Sequence, residues 1–330
     1  MTDSTDDAEV AVYNKDALRL WEKMDAKEKR RNVVARKLPD TTPDDPGAYF
    51  ENQAPSAATG AAPTLEDAKA KGVRMMSWLS QLEEDVGQRV AIYGTGGIGK
   101  SSLAALAPDP ILYVDVENRM ILLKDKIKRK IALVRPATWE ELLNAIADCR
   151  EYAEIKTVVI DSLTRAEILC TAHVLKNVQT EKGASVSSIE GYGFGKGLIH
   201  LYEEFSKIFR PLDYHIALGR NVVLIAHQYP AKVPNPAGED WRQWSPRLQN
   251  PDSGKASICC LVKEWVDHLL FLSYDVTVEK GGKAKGCGSR AIWPQETPWH
   301  LAKSISLLQP IGFAEGEDTL WQLLKKGDKA

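Results

Sequence analysis

Between residues 90 and 106 the chain reads Val-Ala-Ile-Tyr, then Gly94-Thr-Gly-Gly-Ile-Gly-Lys-Ser101, then Ser-Leu-Ala-Ala-Leu. No other stretch limits the fold as tightly. Four apolar residues predict a buried strand, and the Ser-Ser-Leu-Ala-Ala-Leu run predicts the opening of a helix. The glycines between them let backbone N–H groups converge without Cβ clashes. A helix that opens at a strand tip points its positive dipole end and its free N–H groups outward, which gathers anions. The spacing fits Gly-x-x-x-x-Gly-Lys-Ser/Thr, and a chance match in a chain this long is on the order of one in a hundred. The anion such a loop cradles is a phosphate chain. Lys100 is placed to reach the β- and γ-phosphates and Ser101 to hold Mg2+. The predicted phosphate-binding set is Gly94, Thr95, Gly96, Gly97, Ile98, Gly99, Lys100, Ser101 and Ser102, with ATP and Mg2+ as cofactors.

A phosphate loop needs a carboxylate on a neighbouring strand to position the cation. Thr157-Val-Val-Ile-Asp161 supplies one at the end of an apolar run, so Asp161 is the second metal-side residue. A further acidic pair follows another apolar run, in Tyr113-Val-Asp115-Val-Glu117. A carboxylate there can orient or deprotonate the attacking water. Position alone leaves both Asp115 and Glu117 open. The run Asn221 to Ala226 ends in His227, a polar side chain at a strand tip that can sense the terminal phosphate.

The remaining pattern alternates short apolar runs with helical periodicity. Strands are predicted at Val90–Tyr93, Ile111–Val116, Ile131–Val134, Thr157–Ile160, Asn221–Ala226 and Val266–Tyr274. Helices are predicted at Trp139–Tyr152, with Thr138 and Glu141 at capping-box spacing, and at Lys196–Leu212. Alternation of this kind argues an α/β fold with a mainly parallel sheet flanked by helices. Residues Val276 to Leu308 read as a C-terminal β-hairpin with a Gly/Lys-rich turn. Its Lys280, Lys283, Lys285 and Arg290 form a basic patch that a solvated turn accounts for.

At 330 residues the chain has room for one large domain or two small ones. Residues 1–63 are set apart as an N-terminal extension, with a polar helix at Asn14–Lys37 and a linker at Pro39–Pro63. The linker's Pro, Asp, Ala, Gly and Thr bury too little to offset chain entropy, so part of this extension is expected to be disordered. A helix is predicted from Thr64, carrying Leu65, Val73, Met76, Leu79 and Leu82, and residues 64–330 form the main domain. No run of 18 apolar residues occurs, so no membrane span is expected, and the acidic Met1–Val10 segment lacks a signal-peptide core. Cys149, Cys170, Cys259, Cys260 and Cys287 are odd in number and lack metal-type spacing, which suits a reducing cytosol. A net charge of −2 confines any nucleic-acid surface to a local patch.

In combination and order, GTGGIGKSSLAAL (Gly94–Leu106), YVDVEN (Tyr113–Asn118), TVVIDSLT (Thr157–Thr164) and NVVLIAH (Asn221–His227) resemble the RecA-like P-loop NTPase core. They resemble more closely the phage-encoded nucleotide-binding proteins of the single-strand annealing and recombination type. The likeness continues through PAGEDWRQWSPRL (Pro236–Leu248) and GKASICCLVKEWVDHLLF (Gly254–Phe271) to the closing hairpin with Arg290 and Ala302-Lys303. The resemblance implies a Mg-dependent ATPase with Glu117 as the catalytic carboxylate, Asp161 as the Walker B residue and Lys100 on the phosphates. His227 would couple the γ-phosphate to DNA. It also implies two mobile loops that bind single-stranded DNA, at Asn177–Lys196 and Tyr229–Gly254.

The second of these loops carries Tyr229, Lys232, Trp241, Arg242, Trp244 and Arg247. Interleaved rings and cations on a loop are what single-strand binding uses. The same tryptophans could equally pack the loop onto the core. The family's oligomers complete the site from a neighbour, for which Arg247 and Lys255 are candidates, so a homo-oligomer or filament is expected. The cytoplasm of a bacterium or infected host is the implied location. Ala302-Lys303-Ser304-Ile305 departs from the family in lacking a second basic residue after the lysine. Three rival readings follow from the residues. A small-molecule kinase would need an Arg-rich lid where the segment after His227 is instead aromatic. A module that binds ATP without hydrolysing it, or an ATPase acting on a replication or recombination protein, fits the same motifs.

Overall fold

The structure, a computed structural model, describes residues 87–124, 127, 129–148, 154–235, 238–278 and 284–327, all within the compact unit Gln81–Ala330. The predicted N-terminal extension, the helix from Thr64 and the 63/64 boundary lie outside the described residues. So do Cys149, Tyr152, Lys280 and Lys283.

Strands β1 (Arg89–Gly94), β2 (Ile111–Asp115), β3 (Ile131–Val134), β4 (Thr157–Asp161) and β5 (Asn221–Val233) are joined by helical crossovers, with β7 (His268–Val278) following later. They pair in parallel in the order β7-β1-β5-β4-β2-β3. Strands β8 (Ala284–Trp293) and β10 (Ile311–Phe313) extend the sheet antiparallel beyond β7, and β9 (Lys303–Ser304) pairs β7 as well. The chain thus has the RecA-like fold, a mostly parallel sheet flanked by helices. The strand carrying Asp161 is separated from the phosphate-loop strand by β5.

Both faces of the sheet are covered at β1, β2, β4 and the first half of β5, which is why these segments read as apolar runs and do not alternate with polar residues. Ala91, Tyr93, Leu112, Val114, Val158, Ile160, Val222 and Leu224 face one layer. That layer contains helices α2 (Trp139–Ala147), α3 (Leu163–Asn177), α4 (Lys196–Ser206), α5 (Phe209–Ala217) and α6 (Ile258–Trp265). Val90, Ile92, Ile111, Tyr113, Val159, Val223 and Ile225 face the other layer, built on α1 (Lys100–Ala104) and α7 (Thr319–Gly327). Trp321 of α7 donates its indole N–H to the carbonyl of Leu103, 2.8 Å away, and so ties the two helices together. Among the described residues no helix is long and apolar enough to cross a membrane.

Several boundaries differ from the sequence expectation. The single helix predicted over Lys196–Leu212 is two helices, α4 and α5. Pro211 is the cause. It has no N–H to give to Lys207 and its ring would crowd that turn, but in the first turn of a new helix the N–H is not needed. Helix α2 ends at Ala147, short of the predicted Tyr152. At its start the Glu141 N–H donates to Thr138 Oγ1 (3.2 Å), while the Glu141 carboxylate accepts from the N–H of Ala137 (2.7 Å), one residue beyond the usual capping box. Strand β5 runs on to Val233 and pairs antiparallel with β6 (Trp241–Pro246), so a β-hairpin stands where a loop was expected. Helix α7 was not anticipated, although Leu320, Trp321 and Leu324 recur at helical spacing.

Trp139 is fully buried, stacks on Phe205 with ring centroids 5.7 Å apart, and donates its indole N–H to Glu204. Trp139→Ala should therefore cost about 3–5 kcal/mol, read as a lowered urea midpoint of the full chain. An unchanged midpoint would remove Trp139 from the core.

Candidate active site

The tips of β1, β2, β4 and β5 converge because their register is parallel: Gly94 lies opposite His227, and Asp161 opposite Asp115. The phosphate loop leaves β1 at Gly94. Gly97 (φ 75°) and Gly99 (φ 106°) adopt the left-handed region that L side chains avoid. Ile98 between them is fully buried and pins the loop to the core. Lys100 turns back under the loop, its ammonium donating to the carbonyls of Gly94 (3.0 Å) and Thr95 (2.7 Å). Burial lowers the pKa of this ammonium, and the charges of Asp161 and Glu117 oppose that shift.

Asp161 is buried at the end of β4, and Ser101 Oγ and the Tyr113 hydroxyl both donate to its Oδ2, at 2.5 and 2.6 Å. Burial raises the pKa of Asp161, while the two hydroxyls pull it back. This cluster fits a hard divalent cation. The serine and carboxylate oxygens are the donors Mg2+ prefers, and they already converge. Tyr113 escaped the sequence reading because its hydroxyl reaches Asp161 across the sheet, a contact no spacing marks.

The structure separates the two acidic residues left open after β2. Asp115 is turned into the following turn, where its carboxylate accepts the N–H groups of Arg119 (3.1 Å) and Met120 (2.9 Å) and lies 3.8 Å from Arg135. Glu117 faces the strand tips. Its Oε1 accepts from His227 Nε2 at 2.7 Å and from Ser162 Oγ at 2.5 Å. The bond from His227 is the main reason the Glu117 carboxyl is pulled down to about 2, with burial opposing and Ser162 assisting.

His227 is also tied to the hairpin. Its N–H donates to Thr164 Oγ1, the Thr164 hydroxyl donates to the carbonyl of Arg247, and the Arg247 N–H donates to the carbonyl of His227 at 2.7 Å. The Tyr93 hydroxyl lies within hydrogen-bond reach of the carbonyls of Trp244 and Leu301 at the hairpin base. The six residues expected on a loop sit on or beside a pleated ribbon. Pairing places Lys232, Arg242 and Trp244 on one face and Tyr229 and Trp241 on the other. Arg247 follows β6 and is exposed. Tyr229, Trp241 and Trp244 are 54%, 39% and 38% exposed, so they do not pack fully onto the core. Lys232 is engaged by Asp240 at 2.7 Å.

The other expected loop, Asn177–Lys196, contains a short 3-10 turn at Ile189–Tyr192 and is anchored by the Tyr192 hydroxyl on the carbonyls of Val174 and Val178. Its Phe194 is fully exposed at φ 49° between two positive-φ glycines. Trp299 is 74% exposed, and its carbonyl accepts the N–H of Trp244. Neither ring was singled out from the sequence, although an aromatic between glycines marks Phe194. Lys303 is structural: its ammonium donates to the carbonyls of Lys263 and Val266 at the end of α6. Arg290 does not belong to a solvated turn. It lies against the phosphate loop, and a Cβ on Gly99 would come 3.0 Å from its Nη1.

A family model described as AAA domain matches residues 86–305 of the chain. No curated protein matches it. Among solved structures, the KaiC-like protein PH0186 of the hyperthermophilic archaeon Pyrococcus horikoshii OT3 is similar, at 16% identity and a TM-score of 0.37, over 71% of this chain and 88% of that one.

Glu167 on α3 accepts the N–H of Gln249 just past the hairpin (2.8 Å), and burial pushes its carboxyl up to about 7. From the ordinary glutamate range up to about pH 7 the unfolded chain gives up this proton while the folded chain keeps it. Rising pH therefore removes stability across that window and no more above it. Glu167→Gln should abolish this slope, gaining up to about 3 kcal/mol on wild type between pH 4.5 and pH 8 in urea denaturation. Parallel pH profiles for the two proteins would refute the buried protonated state.

Proposed function

This chain belongs to the AAA domain family and is a P-loop NTPase, and on that premise we propose that it hydrolyses ATP while engaging single-stranded DNA. Recombination or annealing of the phage type is the process this reading assigns, in the cytoplasm of a bacterium or its infected host. The observation that carries it is the bond from His227 to Glu117. One strand, β5, carries His227, which grips Glu117, and continues directly into the exposed aromatic hairpin. Whatever moves the hairpin acts on the group that must activate water.

The chemistry follows from the side chains. Lys100 exchanges two loop carbonyls for the β- and γ-phosphates, gaining a charge partner in a buried position. Ser101 and Asp161 would hold Mg2+, which when bound neutralises phosphate charge. Glu117 orients the attacking water and accepts its proton. Held by His227 and Ser162 it is a weak base, since its carboxyl is pulled down to about 2. Hydrolysis therefore requires His227 to let go, as it does when its ring turns to the γ-phosphate. Tyr229, Trp241 and Trp244 offer faces for base stacking, while Lys232, Arg242 and Arg247 track phosphates. Assembly into a homo-oligomer or filament would bring exposed Arg247 or Lys255 to a neighbouring site.

A second reading, an ATPase acting on a replication or recombination protein, is favoured by one feature. The hairpin mixes Glu239 and Asp240 with its cations, and Asp240 already engages Lys232. Steady-state ATP hydrolysis with and without single-stranded DNA, at low and high salt, separates the two. Stimulation that fades with salt supports the DNA reading, and normal ATP binding without stimulation transfers the role to a protein.

Lys100→Ala should abolish ATP binding in calorimetry; unchanged affinity would remove the loop from the site. Glu117→Gln should keep ATP affinity and lose turnover by about 100-fold or more, and normal turnover would place the base elsewhere. Trp241→Ala with Trp244→Ala should weaken single-strand binding by about 1–3 kcal/mol per ring in fluorescence titration and leave DNA-free ATP binding intact. Intact DNA affinity would return both rings to a packing role.

A further inference from the structure

The phosphate loop has two flanks in the sheet. Toward β5 lie His227, Glu117 and Asp161, the groups for the terminal phosphate and the cation. Toward β7 lies a row of side chains with no part in that chemistry. Gly94 is opposite Leu272 on β7, and two residues on is Tyr274. Tyr274 pairs with Arg290 on β8, and Arg290 pairs with Phe313 on β10. Directly opposite residues share a face, so the three side chains stand side by side across three strands.

The Arg290 guanidinium lies 5.9 Å from the centroids of both the Tyr274 and the Phe313 rings. Two ring faces flank this cation, and a guanidinium seated on rings can still take an anion through its N–H groups. The row touches the loop: a Cβ on Gly99 would meet Arg290 Nη1 at 3.0 Å and Phe313 Cε1 at 3.2 Å. Phe313 is buried, whereas Tyr274 is 40% exposed and offers a ring face beside the loop. A nucleotide whose terminal phosphate points to β5 must carry its sugar and base out over the other flank.

We propose that Tyr274, Arg290 and Phe313 form the nucleoside end of the ATP site. The purine ring stacks on Tyr274, Arg290 contacts the phosphate nearest the sugar, and Phe313 holds the guanidinium in place. This inference rests on the nucleotide reading above and adds a base-recognition subsite to it.

The test compares ATP with inorganic tripolyphosphate by calorimetry on the full chain. Wild type should bind ATP about tenfold or more tighter than tripolyphosphate. Tyr274→Ala should lose that preference while binding tripolyphosphate as before, which also shows that it is folded, and Tyr274→Phe should restore it. Arg290→Ala should loosen ATP and ADP alike, since its contact is not with the terminal phosphate. If Tyr274→Ala keeps the wild-type preference for ATP, the row is packing only and the proposal fails. If wild type binds both compounds equally, the subsite fails and the phosphate loop stands. If it binds neither, the nucleotide reading itself fails.

Discussion

A sheet covered on both faces leaves its charged side chains one place to go, the strand tips. The carboxylates of the candidate site obey this constraint. Asp161 ends β4, Glu117 lies just past β2, His227 lies opposite Gly94 on β5, and the phosphate loop leaves β1. Parallel pairing then brings the tips to one edge, where ligands of open α/β sheets bind. The burial that stabilises the sheet is the same force that concentrates the chemistry.

The short hydrogen bonds at that edge divide the work. Ser101, Tyr113 and Asp161 form a cluster suited to a cation, while Ser162 and His227 restrain Glu117. A carboxylate with two donors on one oxygen is ordered and weakly basic. The restraint is linked outward through the Thr164 hydroxyl and the Arg247 backbone to the hairpin. The hairpin thus has a continuous polar path to Glu117.

Much of this was legible in the residues. The glycine spacing, the apolar run ending in Asp161 and the run ending in His227 are local signals, because a buried strand and its polar terminus are contiguous in the chain. The choice between Asp115 and Glu117 was not legible, since it depends on Asp115 being consumed by the N–H groups of Arg119 and Met120. Nothing local marks the hairpin as paired strands, because Tyr229–Val233 has no run of apolar residues. Its strand character comes from pairing with Trp241–Pro246, which is not a local property. The break at Pro211 was a local signal that the helical periodicity on both sides obscured.

The residues alone specify the succession of the buried strands along the chain and the phosphate loop that joins the first of them to its helix, because backbone freedom and side-chain polarity act over a few residues. Packing of the whole chain is what sets which carboxylate meets His227, that Tyr113 joins Asp161, and that Arg290 leaves its hairpin turn to lie against Gly99. Those contacts join residues up to 191 positions apart, from Gly99 to Arg290. They exist only once sheet register has set which strand tips are neighbours.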